Sequence, residues 1–139
     1  MIVLDTNVLS ELMKPMPSKL VVRWVDQQDP SELYISAITV AEILYGIARL
    51  PDGKRKTALL TVASDMFEQD FDGHILAFDA QAAVVYADIV SQSEGSGCQV
   101  SMADAQIAAV TQSRQGMLVT RNVNDFKSFK MEIINPWNR

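Results

Sequence analysis

The chain has 139 residues, 48% apolar and 21% charged, and is expected to form one globular domain over residues 1–139, not a disordered or multidomain chain. Its apolar runs are too short to cross a bilayer, and the opening Met1-Ile2-Val3-Leu4-Asp5 reads as a strand instead of a signal peptide. A single cysteine, Cys98, excludes an internal disulfide framework and a Cys-rich zinc site, and is read as an inert thiol in a reducing compartment, the cytoplasm. The net charge of −5 argues against a broadly basic nucleic-acid-coating protein and raises the question of where the 17 acids sit.

In chain order, Ile2 to Leu4 is a short apolar strand, and Asp5-Thr6-Asn7 is a turn or cap signal before Val8, Leu9, Leu12 and Met13 at helical spacing. Pro15 and Pro17 stop that helix, and Ser18 is positioned to cap a second one carrying Leu20, Val21, Trp24 and Val25. Leu33 to Ile35 reads as the second strand. Thr39 to Leu50 reads as a helix with Val40, Ile43, Leu44 and Ile47 on one face. Pro51-Asp52-Gly53 breaks it, with Asp52 as cap of a long helix through Met66-Phe67, and Gly73 ends that region. Ile75 to Phe78 is the third strand, and Asp79 caps a helix carrying Ala82, Val85, Tyr86 and Ile89. Gly95-Ser96-Gly97 is a loop, and Ser101 opens a helix that Gly116 closes. Met117 to Thr120 is the fourth strand, Asn122 to Phe129 a short helix, and Ile133-Ile134 the last strand.

Strands separated by helices imply βαβ crossovers and a mostly parallel sheet, and nearly all-apolar strands imply cover on both faces. The expected fold class is therefore α/β, a three-layer α/β/α domain. Ligands of such folds bind beyond the carboxyl ends of the strands, at the topological switch. Asp5 follows the first strand, Glu42 lies soon after the second, Asp125 lies just past the fourth, and Asp104 occupies the first turn of its helix. Each acid also fits a local role. Thr39-x-x-Glu42, Ser101-x-x-Asp104 and Asn122-x-x-Asp125 have capping-box spacing, and Asp5 is itself an acceptable N-cap. Converging carboxylates, in contrast, raise each other's pKa until a cation neutralises them, and an oxygen-rich set suits Mg²⁺ or Mn²⁺. Thr6, Asn7, Thr120 and Asn122 stand beside these acids, with local turn chemistry the simpler reading of Asn7.

Other chemistries lack their parts. The chain has no Gly-rich phosphate loop and no Gly-x-Ser-x-Gly elbow, and its one histidine, His74, reads as a loop or strand-edge residue. Arg121 is the cation nearest the acids in sequence, and Lys14, Arg49 and Lys54-Arg55-Lys56 supply the others. The basic run also fits a solvated helix face.

Four segments, Met1-Ile-Val-Leu-Asp5-Thr-Asn-Val-Leu-Ser, Ser36-Ala-Ile-Thr-Val-Ala-Glu42, Ala103-Asp104-Ala-Gln-Ile-Ala-Ala and Val119-Thr-Arg-Asn-Val-Asn-Asp125-Phe, occur in order and resemble those of the PIN-domain ribonucleases. The closest resemblance is to the VapC toxins, including the FitB-like branch, and it extends from Met1 to Asn135-Pro136-Trp137. It implies strand order 3-2-1-4-5 and a Mg²⁺-dependent endoribonuclease that hydrolyses RNA phosphodiesters with a metal-activated water. By it Asp5, Glu42, Asp104 and Asp125 form the acid set, with Asp5 and Asp104 as metal ligands. Thr6, Thr120 and Asn122 support that set, and Asn122 competes with Asp125 for the fourth position. The resemblance further implies a toxin silenced by a cognate VapB/FitA-like antitoxin, a homodimer, and operator DNA bound only through the antitoxin complex, with no membrane partner. The helices from Thr39 to Phe67 are a candidate dimer or antitoxin face, or simply core. Two rivals remain. One is a haloacid-dehalogenase-like phosphatase, which needs an Asp where this chain has Asn7. The other is a non-catalytic metal- or RNA-binding module.

Overall fold

The computed structural model describes residues 1–97 and 99–138; Cys98, expected to be an inert thiol, and Arg139 lie outside the described residues. Five strands, β1 (Ile2–Leu4), β2 (Leu33–Ser36), β3 (Ile75–Leu76), β4 (Met117–Val119) and β5 (Ile133–Ile134), form one sheet in the order β3-β2-β1-β4-β5. Every pairing is parallel. Among the described residues seven α-helices intervene: α1 (Thr6–Leu12), α2 (Lys19–Asp26), α3 (Ala37–Ala48), α4 (Lys54–Asp65), α5 (Ala80–Gly95), α6 (Met102–Ser113) and α7 (Val123–Phe126).

The pleat of the central strands divides the core. Successive side chains leave a strand on opposite faces. Leu4 of β1 and Val119 of β4, partners in register, join a cluster with Leu9, Val21, Ile35, Ile43 and Ile47 from the α1–α3 side. Val3 and Leu118, the preceding register pair, join Ile89, Ala105, Ile107 and Ala108 from α5 and α6. Both faces of the sheet are covered, as the apolar strands require. Each large apolar side chain buried in this way stabilises the fold by roughly 1.5–3 kcal/mol. None of the helices is long and apolar enough to cross a membrane among the described residues.

The local boundaries differ from the expected ones for identifiable reasons. Helix α3 starts at Ala37, because the Ser36 hydroxyl accepts from the Thr39 N–H (3.1 Å) and takes the capping role assigned to Thr39. Ser18 sits at the head of α2, but its hydroxyl makes no capping bond; its N–H is donated to Glu11 (2.9 Å) instead. Gly53, at φ 153°, precedes α4, and Asp52 pairs with Lys56 (3.1 Å) in place of capping. Beyond Asp65 the chain widens into a π-helical turn, Met66–Asp70. Strand β3 stops at Leu76, because the Ala77 carbonyl accepts from Arg114 (3.0 Å) and Asp79 already caps α5 through the Ala82 N–H (2.9 Å). Helix α7 is four residues long, and the Asn122 side chain makes no capping bond there.

Candidate metal centre at the carboxyl edge

The chain lays down β1, β2 and β3 in one direction, then returns to place β4 on the other side of β1. The switch therefore falls between β1 and β4, where the crevice of an open parallel sheet forms. Asp5 is the first residue beyond β1 and Thr120 the first beyond β4. The Asp5 N–H donates to the Val119 carbonyl (2.9 Å), which locks the two strand ends side by side.

Asp5 is 3% exposed, so its carboxylate depends on the groups around it. One oxygen, Oδ1, accepts from the Thr6 N–H (2.8 Å), which caps α1. The other, Oδ2, accepts from the Thr120 hydroxyl (2.7 Å) and the Asn7 amide (3.2 Å). The same Asn7 nitrogen reaches Thr120 Oγ1 (3.3 Å), and its carbonyl oxygen accepts from the Arg121 N–H (3.2 Å). Asn7 therefore binds the β1 end to the β4 end and does more than local turn chemistry. Burial pushes the Asp5 carboxyl up to about 6; the Thr120 hydroxyl and Thr6 N–H pull it back, and the charges of Asp104 and Glu42 add to the rise.

Asp104 lies in the first turn of α6, where the Ser101 hydroxyl accepts its N–H (3.1 Å). Its carboxyl is also raised, first by burial, with the Ser101 hydroxyl opposing and Asp125 and Glu42 adding repulsion. Glu42 lies past the first turn of α3, too far along to serve that helix's cap, and it accepts from the Thr6 hydroxyl (2.7 Å). Asp125 occupies the first turn of α7. The fields of Glu42 and Asp104 meet at Asp5, and those of Glu42 and Asp125 meet at Asp104. Four acids from distant parts of the chain thus share one edge.

Among the described residues, none of the four is ion-paired with a lysine or arginine; the pairs formed use Glu11, Glu32, Asp52 and Asp79. Nor do any three His, Cys, Asp or Glu side chains close into a tight ligand set among those residues. Like charges hold each other off, and a cation is what would draw them together. The donors are oxygens only, one of them in a nearly buried carboxylate held in place by three donors. That composition fits a hard divalent cation.

The remaining expected residues are distributed as follows. Thr6 and Thr120 each donate to an acid, Glu42 and Asp5 respectively. Asn122 donates its backbone N–H to Thr120 Oγ1 (3.1 Å), so it braces the shell through its main chain. The Arg121 guanidinium lies over the Trp137 ring (5.0 Å to the centroid), and the Glu11 carboxyl is lowered mainly by the Lys14 and Ser18 hydrogen bonds, with the Arg121 charge the smallest contribution. Lys14 pairs with Glu11 and Lys56 with Asp52, while Arg49 lies over Tyr45. His74 stacks on Tyr34, and its Nδ1 lies 2.8 Å from the Leu33 carbonyl, at the strand edge expected of it. Ser36 and Thr39 were not among the expected site residues, Thr39 being read only as a helix cap, although both are buried beside the site; their signal was a pair of hydroxyls three residues apart where an apolar strand gives way to a helix.

A groove of about 780 Å³ opens from Thr6 and Glu42 between α1, α3 and α4. Met13, Ile43, Ile47, Leu59 and Val62 line it, with Lys14 and Arg55 among its polar residues.

A parallel α/β sheet with an oxygen-rich acidic crevice at its topological switch defines a class: metal-dependent hydrolytic domains acting on phosphate esters. The model of the PIN domain matches residues 2–130, and the chain belongs to the PIN-domain family, whose nucleases depend on divalent metal. The chain is 42% identical to VapC ribonuclease Y4jK of Sinorhizobium fredii, over 99% of this chain and 98% of that one. It is 38% identical to Toxin FitB of Neisseria gonorrhoeae, over 99% of each chain. The structure of FitAB bound to an IR36 DNA fragment contains a chain that superposes with a TM-score of 0.91 at 39% identity, covering 99% of this chain and 96% of that one.

Proposed function

We propose that residues 1–139 act as one domain, a metal-dependent endoribonuclease that is the toxin of a toxin–antitoxin module. The observation that carries this reading is Asp5, a nearly buried carboxylate raised to about 6 and surrounded by further acids without a cationic side chain paired to any of them among the described residues. Asp5 and Asp104 hold the cation, Mg²⁺ by preference and Mn²⁺ as a substitute, and Glu42 and Asp125 complete the acid set. When bound, that cation supplies Lewis acidity toward a phosphodiester and lowers the pKa of a water for in-line attack. The chain supplies the geometry. Thr120 and Asn7 fix one Asp5 oxygen, the Thr6 N–H fixes the other, and the Thr6 hydroxyl holds Glu42. The expected products carry 5′-phosphate and 3′-hydroxyl ends, since neither a 2′-hydroxyl nucleophile nor a histidine pair is required. Arg121, beside the site and stacked on Trp137, steadies the RNA backbone.

The partner is a cognate VapB/FitA-like antitoxin. The apolar groove that begins at Glu42 suits an apolar segment of such a chain, and an acidic crevice attracts a basic side chain from it. Similarity to a protein named as a toxin, and to a FitAB assembly solved on DNA, supports a two-chain complex that reaches operator DNA through the antitoxin. Exposed Tyr45 and Leu60 on α3 and α4 support a further protein contact, assigned to a homodimer. The phosphatase alternative is disfavoured at Asn7: its amide is committed to Asp5 and Thr120 and its carbonyl oxygen to Arg121, where that chemistry needs an acid.

The test is cleavage of RNA by the purified protein with Mg²⁺, with chelator, and with Asp5→Asn. Wild-type cleavage abolished by chelation and by the substitution is the expected result. Equal cleavage by Asp5→Asn overturns the site.

A further inference from the structure

Three hydroxyls form a chain that ends on Glu42. Ser36, the last residue of β2, donates to Thr39 Oγ1 (3.4 Å) in the first turn of α3. Thr39 Oγ1 lies 3.0 Å from Thr6 Oγ1, at the start of α1, and Thr6 donates to Glu42 Oε1 (2.7 Å). The direction of the middle bond follows from counting hydrogens. A hydroxyl has one, and that of Thr6 is committed to a carboxylate, which when ionised only accepts. Thr39 must therefore donate to Thr6. With its own hydrogen used, Thr39 accepts from Ser36, whose oxygen meanwhile accepts from the Thr39 N–H (3.1 Å). All three O–H dipoles point the same way, toward Glu42, and bonds aligned in series strengthen one another.

We infer that Thr39 is a positioning residue for Glu42, acting through Thr6; this rests on the reading of Glu42 as a member of the acid set. Glu42 is exposed and its long side chain is otherwise free to turn into solvent. Thr6 alone is a weak tether, because an undirected threonine hydroxyl rotates to whichever acceptor is near. Thr39 removes that freedom by occupying the Thr6 acceptor side. Thr39 and Ser36 are fully buried, where valine or alanine would pack without needing a polar partner. The relay also joins the β2–α3 junction to the β1–α1 junction, so Glu42 is held relative to Asp5 and not merely to its own helix.

The test compares Thr39→Val, Thr39→Ser, Thr6→Val, the double valine variant and Glu42→Gln in the full chain. Readouts are kcat and KM for RNA cleavage, Mn²⁺ affinity by calorimetry, and thermal melting. Thr39→Val is expected to lower kcat about tenfold with KM within about twofold, and to weaken Mn²⁺ binding severalfold. Thr39→Ser is expected to restore kcat to within about twofold or threefold, and the double variant to be no worse than Thr6→Val, because the two act in one chain. Wild-type kcat in folded Thr39→Val overturns the inference, as does a serine variant as impaired as the valine one, or additive losses in the double variant. Should Thr39→Val fail to fold, Thr39→Ala and Thr6→Val decide: wild-type kcat in either overturns the relay, and a loss of about tenfold in both supports it. An inactive Glu42→Gln beside a fully active Thr39→Val removes the relay alone. A fully active Glu42→Gln removes the role of Glu42 and the relay with it.

Discussion

Helix α1 has a covered carboxylate near each end, Asp5 at its head and Glu11 near its tail, and the surroundings of the two could hardly differ more. Glu11 is 7% exposed and holds Lys14 (2.9 Å) with one oxygen and the Ser18 N–H (2.9 Å) with the other. The Lys14 hydrogen bond first and the Ser18 N–H second hold its carboxyl below the usual range, against the rise that burial alone would cause. Asp5 has donors but no cation, faces Glu42 and Asp104, and is raised to about 6. Glu11 is solved as a folding problem: it ties the Pro15–Pro17 turn and the head of α2 to α1. Asp5 is left unsolved in the folded chain alone, with its charge offset only by something from outside. Asp79, also at a strand-to-helix junction, resembles Glu11 in this respect, since it caps α5 and pairs with Arg114 (3.3 Å). An acid at a junction is therefore structural where a cation side chain answers it, and a candidate ligand where none does.

Substitutions sharpen this contrast. The largest effect is expected at the unanswered end: Asp5→Asn or Asp104→Asn should lower RNA cleavage by at least about 100-fold, read as kcat/KM at saturating Mg²⁺. At the answered end, Glu11→Ala should destabilise the fold by roughly 1–3 kcal/mol in denaturant titration, while cleavage per folded molecule stays near wild type. The lowered Glu11 carboxyl stabilises the fold above its unfolded value of 4.5, and this is lost as the pH falls through its still lower folded value.

The opposite sign is expected for Asp5 in chelator. Because its folded value lies above 3.8, the folded state is the better proton binder, and stability declines as the pH rises from about 4 through about 6. Asp5→Asn should remove that decline and raise the melting temperature of metal-free protein at pH 7 by a few degrees, about 1–2 kcal/mol. A metal-free Asp5→Asn protein that melts lower than wild type would break the contrast. The smallest effect is expected at Arg121→Ala: KM for RNA should rise about twofold to fivefold with kcat little changed, because a phosphate contact at the rim positions substrate without touching the reacting atoms.

Much of the fold was legible because it is written in local chemistry. Apolar runs of three or four residues followed by Asp5 or Asp79 mark a strand ending in a helix cap, Ser101 opens a helix after a glycine-containing loop, and all three side chains cap as expected. The less legible points were those where two local solutions compete. Ser36 and Thr39 both offer a hydroxyl to α3, and only the path of the chain out of β2 decides for Ser36. Ser18 has the right chemistry for a cap, but Glu11, seven residues upstream, fixes its backbone instead. Asn122 and Asp125 have capping spacing, yet the Asn122 N–H is already spent on Thr120, so the box does not form. In the site, the acids were readable by position, whereas Asn7, Ser36 and Thr39 were not. Their roles rest on contacts to residues 33 to 114 positions away, made directly by Thr39 and Asn7 and through Thr39 by Ser36.

The sequence by itself determined the class of fold, the family resemblance and the four acids, because strand-then-acid segments and helix periodicity are short-range patterns that survive without coordinates. Only the tertiary structure decided which acids are answered by cations and which face one another. That depends on the parallel return of β4 beside β1, which sets Thr120 and Asn7 against Asp5, and on the approach of α3 to α1, which sets Thr6 between Thr39 and Glu42. Electrostatic coupling falls with distance in space and not along the chain, so the net charge of −5 could not by itself distinguish a solvated acidic surface from a cation-binding edge.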